Sequence, residues 1–192
     1  MKVCVYAICK NESQFVDRFM DSMSEADYVC VLDTGSSDDT VERLRARGAI
    51  VGETVVSPWR FDTARNESLG LIPADADICC AIDLDEQFHP GWRAALERAW
   101  QPDTTRARYR YTWSFRPDGS EGMVFWADKI HKNGCYRWAS PVHETLAYTG
   151  EGAERFVDAA GVQLDHHPDE TKSRGQYLPL LELAVREDPQ ND

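Results

Sequence analysis

Through its first hundred residues the chain alternates short, uninterrupted apolar runs with longer polar stretches of helical periodicity. "VCVYAIC" (3–9), "YVCVLD" (28–33), "AIVGETVV" (49–56) and "DICCAID" (77–83) are too short for helices and rich enough in β-formers to predict strands, the third weakened by Gly52. Between them, Asn11 stands where it could cap a helix that places Phe15, Phe19 and Met23 on one face. "VERLRAR" (41–47) predicts a helix stopped by Gly48, "FDTARNESLGLI" (61–72) one ended by Pro73, and "GWRAALERAW" (91–100) one that follows Pro90. Strands that are apolar throughout belong in a sheet covered on both faces, so the pattern predicts an α/β fold: an open, mostly parallel, Rossmann-related sheet flanked by helices.

The texture changes after Gln101. In "RARYRYTWSF" (106–115) polar and apolar residues alternate, "RPDGSEG" makes a turn, and "MVFWADKI" (123–130) returns as an antiparallel hairpin. "CYRW" (135–138) and "ERFVDAAGVQLDHH" (154–167) predict further short strands. "RGQYLPLLELAVRE" (174–187) predicts a final helix with Leu178, Leu181 and Val185 on one side. That face would need a partner, so residues 173–192 are read as the start of a helical region that continued in a longer protein. Residues 1–172 form the main domain, with a ligand-binding half (1–100) and a second half (101–172).

In open α/β sheets, ligands sit beyond the carboxyl ends of the strands. Three polar clusters fall there: Lys10-Asn11-Glu12, Asp33-Thr34-Gly35 and Asp83-Leu84-Asp85. The last is the most pointed, because a buried strand runs straight into Asp83, Asp85 and Glu86, which repel one another unless a cation holds them. On an extended backbone Asp83 and Asp85 would face the same way, two hard oxygen donors suited to Mg²⁺ or Mn²⁺. The loop "DTGSSDDT" lacks the lysine and spacing of a P-loop and is not G-x-G-x-x-G. Asp33 either bonds a base or ribose, or caps the following turn.

Bulk properties narrow the classes. A net charge of −12 over 192 residues repels phosphate backbones and disfavours nucleic-acid binding. Six cysteines without C-x-x-C spacing fit buried thiols in a reducing cytoplasm better than zinc or disulfides, and no run is long enough for a membrane span. Among the later clusters, His143, His166 and His167 are candidate metal ligands and Glu144 a candidate base. Lys172 and Arg174 either neutralise a diphosphate or begin a solvated helix.

"ICKNE", "VLDTGSSDDT", "ARNESL" and "DICCAIDLDE", in this order and spacing, resemble family 2 glycosyltransferases with the GT-A fold, over roughly residues 2–100. "WASPVHETL" and "HHPDETKSRGQYLPLLELA" resemble the subgroup in which a compact GT-A domain precedes tetratricopeptide-like helical repeats. The resemblance implies a nucleotide-sugar donor, with a UDP-sugar favoured, a divalent cation (Mn²⁺ or Mg²⁺) and inversion at the anomeric carbon. The acceptor, a saccharide, peptide or lipid-linked glycan, is left open. It places Asn11, Glu12 and Asp33 at the nucleoside, and Asp62 and Arg65 near the base or phosphates. It puts Asp83, Leu84 and Asp85 at ribose and metal, His166 on the metal with His167 as the competing assignment, and Glu144 at the acceptor hydroxyl. The chain departs from the family where a doubled aspartate is usual, having Asp33-Thr34, and where x-E-D is usual, having His143-Glu144. Trp138 either stacks on a sugar or belongs to the core. Two other readings remain: a nucleotidyltransferase making sugar nucleotides, against which "CKNES" offers no glycine-rich loop, and a noncatalytic nucleotide- or glycan-binding module.

Overall fold

A computed structural model of the chain describes residues 1–169, 175 and 177–188. In chain order its strands are β1 (Val3–Cys9), β2 (Tyr28–Asp33), β3 (Ile50–Glu53), β4 (Ile78–Ala81), β5 (Glu86–Phe88), β6 (Arg106–Thr112), β7 (Val124–Lys132), β8 (Tyr136–Ala139), β9 (Thr145–Tyr148) and β10 (Phe156–His166). The helices are α1 (Val16–Ser22), α2 (Thr40–Ala46), α3 (Phe61–Leu69), α4 (Trp92–Ala99) and α5 (Tyr177–Glu187). Eight strands form one sheet in the order β3-β2-β1-β4-β7-β6-β10-β5. The β3-β2, β2-β1, β1-β4 and β6-β10 pairs are parallel, whereas β4-β7, β7-β6 and β10-β5 are antiparallel. The α/β class and the mostly parallel sheet expected from the sequence are therefore present, with β8 and β9 as a small separate antiparallel hairpin.

Strand β1 is the axis of the fold, with Val3 through Ala7 wholly inaccessible. Its two side-chain rows serve two cores. Val3, Val5 and Ala7 pack with Phe19 and Met23 of the α1 region and with Trp92 and Leu96 of α4. Cys4 and Tyr6 pack on the other side with Cys79 and with Tyr136, Trp138 and Leu146 of the small hairpin. Burying a side chain such as Phe19 or Leu96 removes enough apolar surface from water to contribute about 1.5–3 kcal/mol each. Because β7 lies between β4 and β6, the two halves of the chain share one sheet. On α5, Leu180 turns inward, while Leu178 and Val185 stay about two-thirds exposed at 64% and 65%.

Two local expectations are corrected. Helix α1 begins after Phe15 with no side-chain cap, so Asn11 does not cap it. Strand β4 stops at Ala81, and Leu84 and Asp85 form a turn into β5, a strand the apolar pattern does not announce. Asp83 and Asp85 thus do not lie on one extended backbone, although both border the same cleft.

Candidate functional site

The carboxyl ends of β1, β2 and β4 open into a cleft of about 700 Å³, bordered by the β1–α1 loop, the start of α3, the β4–β5 turn and Tyr177 of α5. Its rim is tied together by cross-loop hydrogen bonds. Asn11, held at φ 54°, donates its backbone N–H to Ser36 Oγ at 2.8 Å and accepts from the Ser37 N–H at 2.7 Å. The Glu12 N–H donates to Thr40 Oγ1 at 2.8 Å. Asn11 and Glu12 border the cleft, as anticipated.

Asp33 caps the turn that follows it, one of the two roles the sequence offers. It is 2% exposed, and its Oδ1 accepts the backbone N–H groups of Gly35 and Ser36 at 2.9 and 2.8 Å, while Oδ2 accepts the Ser36 hydroxyl. Gly35, at φ 105°, gives the loop the left-handed turn that brings those donors round. Asp33 therefore shapes the loop and is absent from the cleft wall. Asp62 is similarly engaged: Arg60 grips it through Nε and Nη2 at 3.0 and 2.8 Å and also reaches Glu187 on α5.

Each of the three carboxylates after β4 finds its own partner. Asp83 accepts from Arg65 Nη2 at 3.0 Å. Burial works against its charge, but Arg65, Lys129 and His166 outweigh it and hold the carboxyl below its usual range. Asp85 faces His166 Nε2 at 3.3 Å. Glu86 is 2% exposed and structural: it accepts the Tyr111 hydroxyl at 2.6 Å and the Asp83 N–H at 2.8 Å. Burial raises the Glu86 pKa against the pull of Lys129. Leu84, between the aspartates, is buried beneath the turn and borders the cleft.

Arg65 connects the two halves of the site. It projects from α3 at 4% exposure and donates Nε to Glu144 Oε1 at 2.5 Å as well as Nη2 to Asp83. Burial opposes its charge, yet the two carboxylates raise its pKa. Its guanidinium carbon lies 5.0 Å from the Trp138 ring centroid. Trp138 itself is 2% exposed and donates Nε1–H to Tyr6 Oη at 3.0 Å, so it is a core residue supporting Arg65 from below, not a platform open to a sugar. Glu144 sits near the cleft in an ion pair, and the preceding His143 is exposed at φ 52°.

The fit of a divalent cation is decided at Asp85 and His166. His166 Nδ1 lies 3.0 Å from the Trp113 carbonyl, which can only accept, so Nδ1 carries the proton. Nε2 then points a lone pair at the Asp85 carboxylate, and two Lewis bases 3.3 Å apart require a positive charge between them. Either a proton or a metal ion can supply it: burial disfavours imidazolium, but the contacts with Asp85 and the Trp113 carbonyl raise the His166 pKa. A metal-bound histidine commonly has this arrangement, one nitrogen anchored to a carbonyl and the other free to ligate. The pair fits Mn²⁺ or Mg²⁺, while Asp83 is turned towards Arg65. Among the described residues no three His, Cys, Asp or Glu side chains form a ready cage, so ligand oxygens would have to complete the shell. His167 stacks on Phe115 with ring centroids 5.2 Å apart and gives its backbone N–H to the Asp85 carbonyl at 2.8 Å. That leaves His166 as the histidine facing the carboxylate. Lys172 and Arg174 lie outside the described residues.

Sequence reasoning missed Lys129, Tyr111 and Trp113. Lys129 sits on β7 and supplies positive potential to Asp83 and Glu86. Trp113 stacks on His166 at 4.4 Å between centroids. The available signal was the hairpin's alternation, which presents such residues on a chosen face, but only the insertion of β7 beside β4 shows what they meet.

No family profile matches this chain. Several solved structures superpose on part of it. Glucosyl-3-phosphoglycerate synthase from Mycobacterium tuberculosis with Mn²⁺, UDP and glucosyl-3-phosphoglycerate is 27% identical over 57% of this chain and 44% of its own, at a TM-score of 0.48. The same enzyme with Mg²⁺ and UDP gives 27%, 57% and 43% at 0.47, and a mycobacterial protein gives 24%, 58% and 41% at 0.49. The matched part spans less than half the length of these proteins.

Proposed function

We propose that this chain is the donor-binding and catalytic part of a metal-dependent, inverting family 2 glycosyltransferase that uses a UDP-sugar. The observation that carries the reading is the Asp85–His166 pair. A carboxylate and an imidazole nitrogen face each other at 3.3 Å beside the cleft, with a carboxylate–arginine–carboxylate bridge nearby. When bound there, a divalent cation supplies positive charge to the leaving diphosphate.

The chain's own residues do the rest. Lys129 adds positive potential beside Asp83, on the side where charge would build as the sugar–diphosphate bond breaks. The acceptor hydroxyl oxygen bonds to the anomeric carbon from the opposite face, and the sugar–oxygen bond to the diphosphate breaks with its electron pair. The hydroxyl proton passes to the Glu144 carboxylate. The cross-linked loops at Asn11, Ser36 and Thr40 keep the cleft shaped before the donor arrives, so less ordering is needed on binding. The chain's six cysteines, all unpaired, fit a reducing cytoplasm. Among the described residues no helix is long and apolar enough to cross a membrane.

The test is thermal unfolding with nucleotides and metal. UDP plus Mn²⁺ at about 100 times Kd should stabilise the protein by about 2.7 kcal/mol. For a chain of this size that raises Tm by about 5–10 °C, with little effect from either component alone. No shift with any nucleoside diphosphate and metal would defeat the reading, as would failure to release UDP from every UDP-sugar tried.

A further inference from the structure

We infer that Arg65 is a positioning residue for the transfer step: its guanidinium holds the acceptor-side carboxylate of Glu144 in register with the donor-side carboxylate of Asp83. The inference rests on the glycosyltransferase reading and assigns Arg65 a role through Glu144, in place of contact with the donor base.

Four observations carry it. Glu144 lies in the β8–β9 hairpin, which is not part of the main sheet, whereas Asp83 lies at the end of β4 in its centre. The two are 61 positions apart in sequence, and among the described residues the same arginine is bonded to both, at 2.5 and 3.0 Å. A guanidinium is planar with its donors at fixed angles, so bonding two carboxylates through one fork fixes their mutual orientation, which a lysine ammonium would not do. Trp138 packs against the guanidinium, its ring centroid 5.0 Å from Cζ, and is itself anchored through Tyr6, which gives the arginine a fixed surface to rest on.

The fourth observation is a cost. Arg65 Nη1 is buried and finds no hydrogen-bond partner among the described residues. An orphaned buried donor costs about 1–3 kcal/mol, so the pose is not the one that satisfies Nη1. The pose is set by the two carboxylates instead. Asn66, the next residue on α3, reinforces the same contact by pinning the hairpin: its side chain donates to the Trp138 carbonyl at 2.9 Å and accepts the Trp138 N–H at 2.8 Å. Helix α3 thus carries adjacent residues that fasten the hairpin and then its carboxylate.

The experiment is a double-mutant cycle on the whole chain, read as UDP release from a UDP-sugar with Mn²⁺ and an acceptor. Glu144→Gln and Arg65→Met should each lower kcat by about 100-fold or more, with donor KM moving less than about threefold. The double variant should be no slower than Glu144→Gln alone within about threefold, because the arginine acts only through the carboxylate. Arg65→Lys should recover only part of the Arg65→Met loss. Should Arg65→Met fail to fold, Arg65→Lys in the same cycle carries the test. Losses that multiply in the double variant would overturn the inference, as would an Arg65→Met enzyme whose donor KM rises while kcat stays unchanged. A parent protein that turns over no UDP-sugar would instead remove the glycosyltransferase reading, and the inference with it.

Discussion

His131 should make the fold acid-sensitive, and the size of the effect can be worked out. The ring is 1% exposed, between Tyr6 and Tyr136. Its Nδ1 donates to the Lys132 carbonyl at 3.0 Å, and its Nε2 meets Tyr6 Oη at 2.8 Å. Tyr6 already accepts from Trp138 Nε1–H, so its own O–H is the donor to Nε2, and the chain Trp138 to Tyr6 to His131 runs in one direction. Protonating Nε2 would set two donors against each other in a buried site. Burial is the main reason the pKa falls from 6.5 to about 4, with the Arg106 cation adding to it against the Lys132 carbonyl. Since the folded pKa lies below the unfolded one, the unfolded chain binds the extra proton first. Stability from this residue is therefore complete above about pH 6.5 and is lost as pH falls towards about 4. The loss is about 1 kcal/mol at about pH 5.5 and about 2 at about pH 5, approaching about 3 when the window is crossed. Other groups titrate here too, so the assay is a comparison of slopes: urea unfolding of the parent and of His131→Leu at several pH values between about 7 and 5. The variant loses a pH-independent amount from the stranded Tyr6 hydroxyl, and its stability should fall less steeply with acid by about 2 kcal/mol over that range. Parallel slopes would refute the reasoning.

Two further outcomes test the site. Asp85→Ala removes the carboxylate that faces His166, and calorimetric titration of the UDP-loaded protein with Mn²⁺ should show affinity reduced by at least about 10–100-fold, the loss typical of mere outer-shell partners. Unchanged affinity would mean that the cation lies elsewhere. Asp33→Ala strands the N–H groups of Gly35 and Ser36, so unfolding without any nucleotide should show a loss of about 2–3 kcal/mol. A loss under about 0.5 kcal/mol would mean that the carboxylate does not organise the loop.

The chain's own order of residues settled the αβ alternation, because apolar periodicity is local and strands such as 3–9 and 28–33 declare themselves within a few positions. It also settled where polar groups gather, since parallel strands with short connections bring their carboxyl ends to one rim. Asn11, Glu12, Arg65, Asp83 and Asp85 all border the cleft that this argument predicts. Spacing alone misled at Asp83 and Asp85, because a period-two argument holds only while the backbone stays extended, and here β4 ends at Ala81 and the chain turns at Leu84 and Asp85. The β5 strand was equally hidden, since three residues become a strand only when β10 offers them an edge.

Which charge meets which was decided by the tertiary structure. Arg65 is bonded to residues 18 and 79 positions away, and Lys129 reaches the acidic turn only because β7 inserts beside β4. Electrostatic partnership depends on distance through space and on how much water is excluded. Neither quantity is encoded in sequence spacing once the chain has folded back across its own sheet.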